Sequence, residues 1–306
     1  MIRTNHLVDP YLHIWGWEIP VYLFLGGLTA GIMVVTSILI LKYPKESLSR
    51  WARWMPFAGP ILLSIGMLAL FLDLEHKLYV WRFYLAFKIT SPISWGAWIL
   101  LLIYPVALLL GLINLTPEER SATKIGFITK ILNYIYEVAL EYRRAIVWAN
   151  IILGVALGTY TGIFLGSLGA RALWSSPILG PLFLVSGLST AMAMMMLFRL
   201  KDEEHHDLLE WDKAAIVVEL ILIAIYILGL ITSGSASKIY AAELFLESGF
   251  GVAFLILVVL IGLLIPVVLE LAESRLKKFA AVAAPVLILI GGFAMRWILV
   301  YAGQVV

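Results

Sequence analysis

The sequence contains no cysteine. That absence removes disulfides, Cys-ligated zinc and Cys-ligated iron–sulfur clusters, and it leaves the redox compartment open. Histidine is scarce. Of the five in the chain, His6 and His13 precede the first long apolar run, His76 falls between two runs, and His205 and His206 sit in a charged stretch. No run carries the paired axial histidines of a membrane cytochrome b, and neighbouring histidines point to different faces of a helix. The expectation is a chain with no haem, no iron–sulfur cluster and no metal of its own. Charged residues make up only 14%. There is no dinucleotide fingerprint, P-loop, nucleophile motif or visible repeat, and nothing points to nucleic acid.

Apolar surface is what the chain has in excess. At 62% hydrophobic and a mean hydropathy of +0.98, 306 residues cannot be buried in one soluble core, so the lipid bilayer has to act as solvent. Eight runs are each long enough to cross it as a helix: 18–41, 56–72, 93–115, 145–168, 178–198, 214–233, 250–269 and 279–301. They predict an all-α integral membrane protein forming one polytopic domain, because helices satisfy their backbone groups internally in lipid. The first run has no basic segment before it and no small-residue cleavage pattern, so it is expected to remain as the first span. Pro60, Pro105, Pro266 and Pro285 lie in or near the runs as tolerated kinks.

Orientation follows from charge. Of the 22 Lys and Arg, fifteen fall in the loops after spans one, three, five and seven, six fall on the opposite side, and Arg296 lies within the last run. Positive charge stays inside, so a bacterial-type inner membrane is expected with both termini and the 73–92 connection in the periplasm. Trp15, Trp17, Trp81, Trp95, Trp98, Trp174 and Trp297 would mark the outer interface, and Trp51, Trp54, Trp148 and Trp211 the inner one. In the inner loop 116–144, Ile128, Ile131, Leu132 and Ile135 set against Lys130, Glu137 and Glu141 predict a surface helix. The stretch 199–213, RLKDEEHHDLLEWDK, reads as a charged loop. Small-residue clusters at Gly26 to Gly31, Gly154 to Gly158 and Gly162 to Gly166 suit close helix contacts.

Function concentrates in residues 71–104. Asp73, Glu75, His76, Lys77, Arg82 and Lys88 crowd a short connection between two spans, and a Ser94-Trp95-Gly96 turn opens the next. Elsewhere, Glu219 and Arg296 are ionisable residues inside apolar runs, where such groups either snorkel to an interface or serve ion and proton routes.

Five strings together resemble the NrfD family, the membrane subunits of polysulfide reductase and of formate-linked nitrite reduction. They are WEIPVYLFLGGLTAG from Trp17, SPISWGAW from Ser91, LGTYTGIFLGSL from Leu157, SPILGPLFLVSGLS from Ser176 and RWILVYAGQ from Arg296. The resemblance implies two four-helix bundles, no haem, and an exchangeable quinone, menaquinone or ubiquinone, near the periplasmic end of the first bundle. It also implies a ferredoxin-like iron–sulfur subunit with a molybdenum catalytic subunit, or a multihaem cytochrome system, as partner. Carried onto this sequence it assigns Tyr22, Asp73 and Tyr160 to the quinone. Tyr22 stands where polysulfide reductases have a histidine; it keeps a hydroxyl but does not titrate near neutral pH. His76, Arg82, Ser94 and Trp95 are additional pocket candidates, although a short gap in the alignment precedes SPISWG.

The span directions bring Tyr22, Asp73 and Tyr160 to the same outer half of the membrane. There, two phenols and a carboxylate suit a headgroup that needs donors and a proton carrier. A proton path would draw on Asp73, Glu219 and Arg296. The expected function is the membrane subunit of a respiratory oxidoreductase exchanging two electrons and two protons with a quinone. A secondary transporter or proton channel would also use eight spans and a buried acid, and a non-catalytic anchor would hold no quinone.

Overall fold

The computed structural model describes residues 15–85, 87–121, 126–168, 171–271 and 273–305; His6 and His13 lie outside them. Among the described residues there is no strand. Eight helices are long and apolar enough to cross a membrane: Glu18–Lys42, Arg50–Asp73, Pro92–Asn114, Arg143–Gly166, Leu179–Met196, Asp202–Ile231, Gly249–Leu271 and Phe279–Val305. They are numbered here as the first to eighth span, and an even number of crossings leaves both termini at the same end of the molecule.

Two helices begin well before their apolar runs. The second starts at Arg50, where the Ser49 hydroxyl caps it by accepting from the Ala52 N–H at 3.1 Å. The sixth starts at Asp202, so the charged stretch expected as a loop is instead the first three turns of a helix. Asp202, Glu203 and Glu204 in its first turn favour the positive end of the helix dipole. Glu204, buried, accepts from the Lys201 N–H at 3.2 Å and from the Ser49 N–H at 2.7 Å, tying the starts of both helices together.

The seventh span departs from a plain α-helix: Phe254–Leu264 is π-helical. Pro266 has no N–H to offer the Gly262 carbonyl in an α ladder, and the Ile265 N–H reaches Leu260 instead, one residue further back. Gly262 there meets Gly291 of the eighth span so closely that a Cβ on it would lie 2.6 Å from the Gly291 Cα.

The first span is the central one. It packs on the second, fourth, fifth and eighth. The third bridges the second and fourth, the fifth contacts the sixth and eighth, and the seventh lies on the eighth. Gly31 makes the tightest of the first span's contacts: a Cβ there would sit 2.0 Å from the Gly187 carbonyl oxygen of the fifth span. Asn150 of the fourth span adds polar ties, donating to Met33 O at 2.8 Å and Ser37 Oγ at 2.9 Å.

At the end opposite the termini, Gly126–Glu141 forms the expected surface helix. Arg53 donates to Glu119 there at 3.0 Å. Burial alone would raise the Glu119 carboxyl, but hydrogen bonds from Arg53, the Thr116 N–H and Trp54 outweigh it and hold the group at about 2. Trp17, Trp51, Trp54, Trp81, Trp95 and Trp148 are exposed, as interface anchors should be, whereas Trp174 is buried and donates to Leu299 O at 2.7 Å.

Because the Gly31 contact is with backbone, no rotamer change can relieve it. Gly31→Ala is expected to cost about 1–3 kcal/mol, read as a lower unfolding temperature in detergent.

Candidate functional site

At the end that carries the termini, the second span stops at Asp73 because Leu74 turns extended. The chain then runs through a 3-10 turn, Lys77–Tyr79, and a one-turn helix, Arg82–Leu85, before the third span opens with Pro92 at its start. Ser94 and Trp95 fasten this connection down. Ser94 Oγ accepts from the Lys88 N–H at 2.9 Å, and the Trp95 indole donates to Ile89 O at 2.6 Å. Arg82 lies over the Tyr79 and Trp81 rings at 4.5 and 5.6 Å.

Two cavities adjoin beneath it. The deeper, about 530 Å³, is apolar apart from Ser64 and three phenols, Tyr22, Tyr84 and Tyr160. The second, about 800 Å³, is lined by Asp73, His76, Arg82, Lys88 and Ser94. Leu74, Phe83 and Ile93 line both. Tyr22 is close enough to Tyr160 and Tyr84 to interact electrostatically with each, and Asp73 likewise with Glu18. Burial, then the Tyr104 phenol, pushes the Tyr84 phenol up, so at neutral pH it is a hydrogen-bond donor.

Tyr160 owes its position to Gly96. A Cβ on Gly96 would lie 2.2 Å from Tyr160 Cζ and 2.3 Å from its hydroxyl oxygen, so the ring rests directly on third-span backbone. Beyond it Phe164, Trp15 and Trp174 continue the aromatic stack, with centroids 6.1, 6.1 and 5.0 Å apart in turn. Gln304 clamps Trp15 from the eighth span, accepting from its N–H at 2.8 Å and donating to its carbonyl at 3.1 Å. The wall of the site therefore joins the two ends of the described structure.

Of the residues expected from sequence, Tyr22 and Tyr160 share the phenol cavity, while Asp73, His76, Arg82 and Ser94 share the polar one. Trp95 lines neither of them. Tyr84 and Glu18 escaped sequence reasoning; Tyr84 lies in the dense connection, but nothing in a stretch of mixed residues tells which of them folds inward.

Glu219 and Arg296 do not snorkel. They are 2% and 0% exposed. Arg296 donates to Gly292 O at 2.7 Å, Ser186 Oγ at 3.1 Å and Phe183 O at 3.2 Å. Ser186 also hydrogen-bonds Glu219 and so bridges acid and base. Phe24 and Gly27 of the first span pack on the guanidinium, roughly opposite Tyr22 around that helix at 100° per residue. The first span thus stands between this pair and the phenol cavity, and Asp73 belongs to the latter.

A family model described as "Polysulphide reductase, NrfD" matches residues 6–306. The chain belongs to the NrfD family. Over 305 residues it is 29% identical to a polysulfide reductase membrane component of Wolinella succinogenes, covering 95% of this protein and 94% of that one. Protein NrfD of Escherichia coli is also 29% identical, over 308 residues and 95% of each sequence. A selenate reductase subunit of Mesobacillus selenatarsenatis is 26% identical over 201 residues, 60% of this protein and 47% of that one. The NrfD match and the two full-length relatives run through every element that builds the two cavities.

Gly96→Ala is expected to destabilise the fold by about 1–3 kcal/mol through the Tyr160 ring. Combining it with Tyr160→Ala should recover part of that loss, a coupling that a double-mutant cycle of unfolding temperatures would detect.

Proposed function

We propose that this protein, a membrane subunit of an oxidoreductase complex, binds a quinone at the end carrying its termini and exchanges two electrons and two protons with it. The observation that carries this reading is the pairing of cavities. An apolar space with phenol donors opens beside a polar space bearing a carboxyl, all within reach of the same three spans and one connection. The residues present fit such a ligand. Leu68, Phe71 and Leu100 offer an apolar wall to a tail, and the three phenols offer donors for carbonyl oxygens.

When bound, a quinone supplies chemistry in which two electrons and two protons convert it to the quinol. Tyr22, Tyr84 and Tyr160 hold and orient the headgroup by donating hydrogen bonds. The apolar lining excludes water from it. Asp73, at the lip of the second span and beside His76, accepts or returns protons.

The names of the relatives, components of a polysulfide reductase and of a selenate reductase, support a place beside separate catalytic subunits. Electrons then pass to or from an iron–sulfur subunit of ferredoxin type with a molybdenum enzyme, or a multihaem cytochrome. The charge split between loops puts the cavities on the periplasmic side of a bacterial inner membrane.

Three measurements test this. In the complex with its native redox subunits, Tyr160→Phe should weaken quinone binding by about 0.5–1.5 kcal/mol, two- to tenfold or so in Kd. Asp73→Asn should lower quinone-linked turnover by about 10²–10⁴-fold while leaving binding nearly intact. Normal binding in the first and normal turnover in the second would retire the site. Reporter fusions after residues 45 and 304 should show the first cytoplasmic and the second periplasmic; the reverse would invert the site's location.

A further inference from the structure

The sixth span carries a second polar track that the phenol cavity does not use. Its buried face repeats every seven residues: Asp212, Glu219 and Tyr226 are 0%, 2% and 1% exposed. Seven residues are close to two turns, so the three lie in line, about 10 Å from one to the next. The fifth span sets two hydroxyls against that line. Ser186 and Ser189 are three residues apart and share a helix face. Ser186 joins Glu219 to Arg296. Ser189 lies with Asp212 and Glu270, all three within reach of one another. Their orientations do not close a well-formed bond, and Ser189 Oγ and both Asp212 oxygens stay buried without an aligned partner.

Glu270, 5% exposed on the seventh span, also lines a gap of about 10 Å³ beside His205. That volume is near the lower limit for one water molecule. His205 is half-exposed, near the start of the sixth-span helix, so the track reaches solvent at the end opposite the termini. In the other direction it closes. Above Glu219 the stripe passes apolar Ile223 to Tyr226, whose hydroxyl is committed to Leu173 O at 2.6 Å.

Stability gives no reason for such a track. Arg296 and Glu219 compensate one another through Ser186, but the groups acting on Asp212 among the described residues are Ser189 and two further acids. Neighbouring carboxyls inside a membrane protein are costly, and apolar side chains of similar size would pack there at no loss.

We propose that the Asp212–Glu270 carboxyl pair is the loading point of a proton route that enters beside His205, passes Ser189 to Glu219 and Ser186, and ends at Arg296 against the first span. Protons move along it from carboxyl to carboxyl through hydroxyls, with no change of electron count. The inner face becomes the source of protons held in the middle of the bundle, and quinone turnover becomes charge-separating. Only this last consequence rests on the quinone reading.

The route is testable apart from that reading. The complex with its native subunits, in sealed right-side-out vesicles, is treated with dicyclohexylcarbodiimide, which couples to protonated carboxyls in apolar surroundings. Modified peptides are then counted by mass spectrometry. Label is expected on Asp212 or Glu270, falling by about tenfold per pH unit once the pair is ionised when the inner pH is raised, and unchanged when the outer pH is raised. Label that follows the outer pH, or that is absent from both carboxyls, overturns the proposal. In proteoliposomes, Asp212→Asn and Glu270→Gln should cut inner-face proton uptake per electron pair by about 10²-fold or more, with quinone bound per complex unchanged. Wild-type uptake in both variants overturns it too. Loss of bound quinone in wild type with labelling still governed by the inner pH would overturn the quinone reading alone.

Discussion

A guanidinium carried to zero exposure among apolar helices has to be solvated by protein, and Arg296 sets that demand at the centre of this molecule. Two backbone carbonyls, Ser186 and the faces of Phe24 and Phe183 answer it. Gly27 must lack a Cβ beside it, since one there would sit 2.7 Å from an Arg296 nitrogen. Meeting these needs draws the first, fifth, sixth and eighth spans to one point. The same closeness lets Gly31 meet Gly187 a turn further along. Helix contacts in lipid gain little from the hydrophobic effect, so such short approaches and polar ties are what hold the spans in register.

The first span then works as a partition. On one side Tyr22 faces the phenol cavity; on the other, Phe24 and Gly27 cover the charged pair. The cavities exist because the connection after Asp73 folds back over the spans rather than out into solvent. Pro92, Ser94 and Trp95 account for that fold: a rigid helix start, a hydroxyl holding the Lys88 amide and an indole holding the Ile89 carbonyl. The aromatic stack from Tyr160 to Trp174, clamped by Gln304, closes the far wall.

Much of this was legible in the amino-acid order. The number, length and helical nature of the spans follow from run length and the cost of bare backbone in lipid. Glycine clusters announced close contacts, and the crowding of charge after Asp73 announced the polar cavity. The seven-residue spacing of Asp212, Glu219 and Tyr226 was also there to be read, but Asp212 sits in a charged stretch that hydropathy assigns to a loop. Glu270 lay just past the end of its apolar run. A hydropathy window averages over the residues that begin and end a helix, so it loses polar groups that a longer helix carries inward.

By itself, the sequence determined that this protein lives in a membrane as eight helices and which ionisable side chains must enter it, because solvation cost depends on residue type alone. Only the tertiary structure decided which of them meet. Whether Arg296 snorkels or turns inward, whether Tyr84 faces the cavity or the lipid, and whether Glu219 joins Asp73 or Arg296 depend on helix rotation. Rotation is set by contacts such as Gly31 on Gly187 and Gly96 on Tyr160, made between residues far apart in the chain, and no local pattern encodes them.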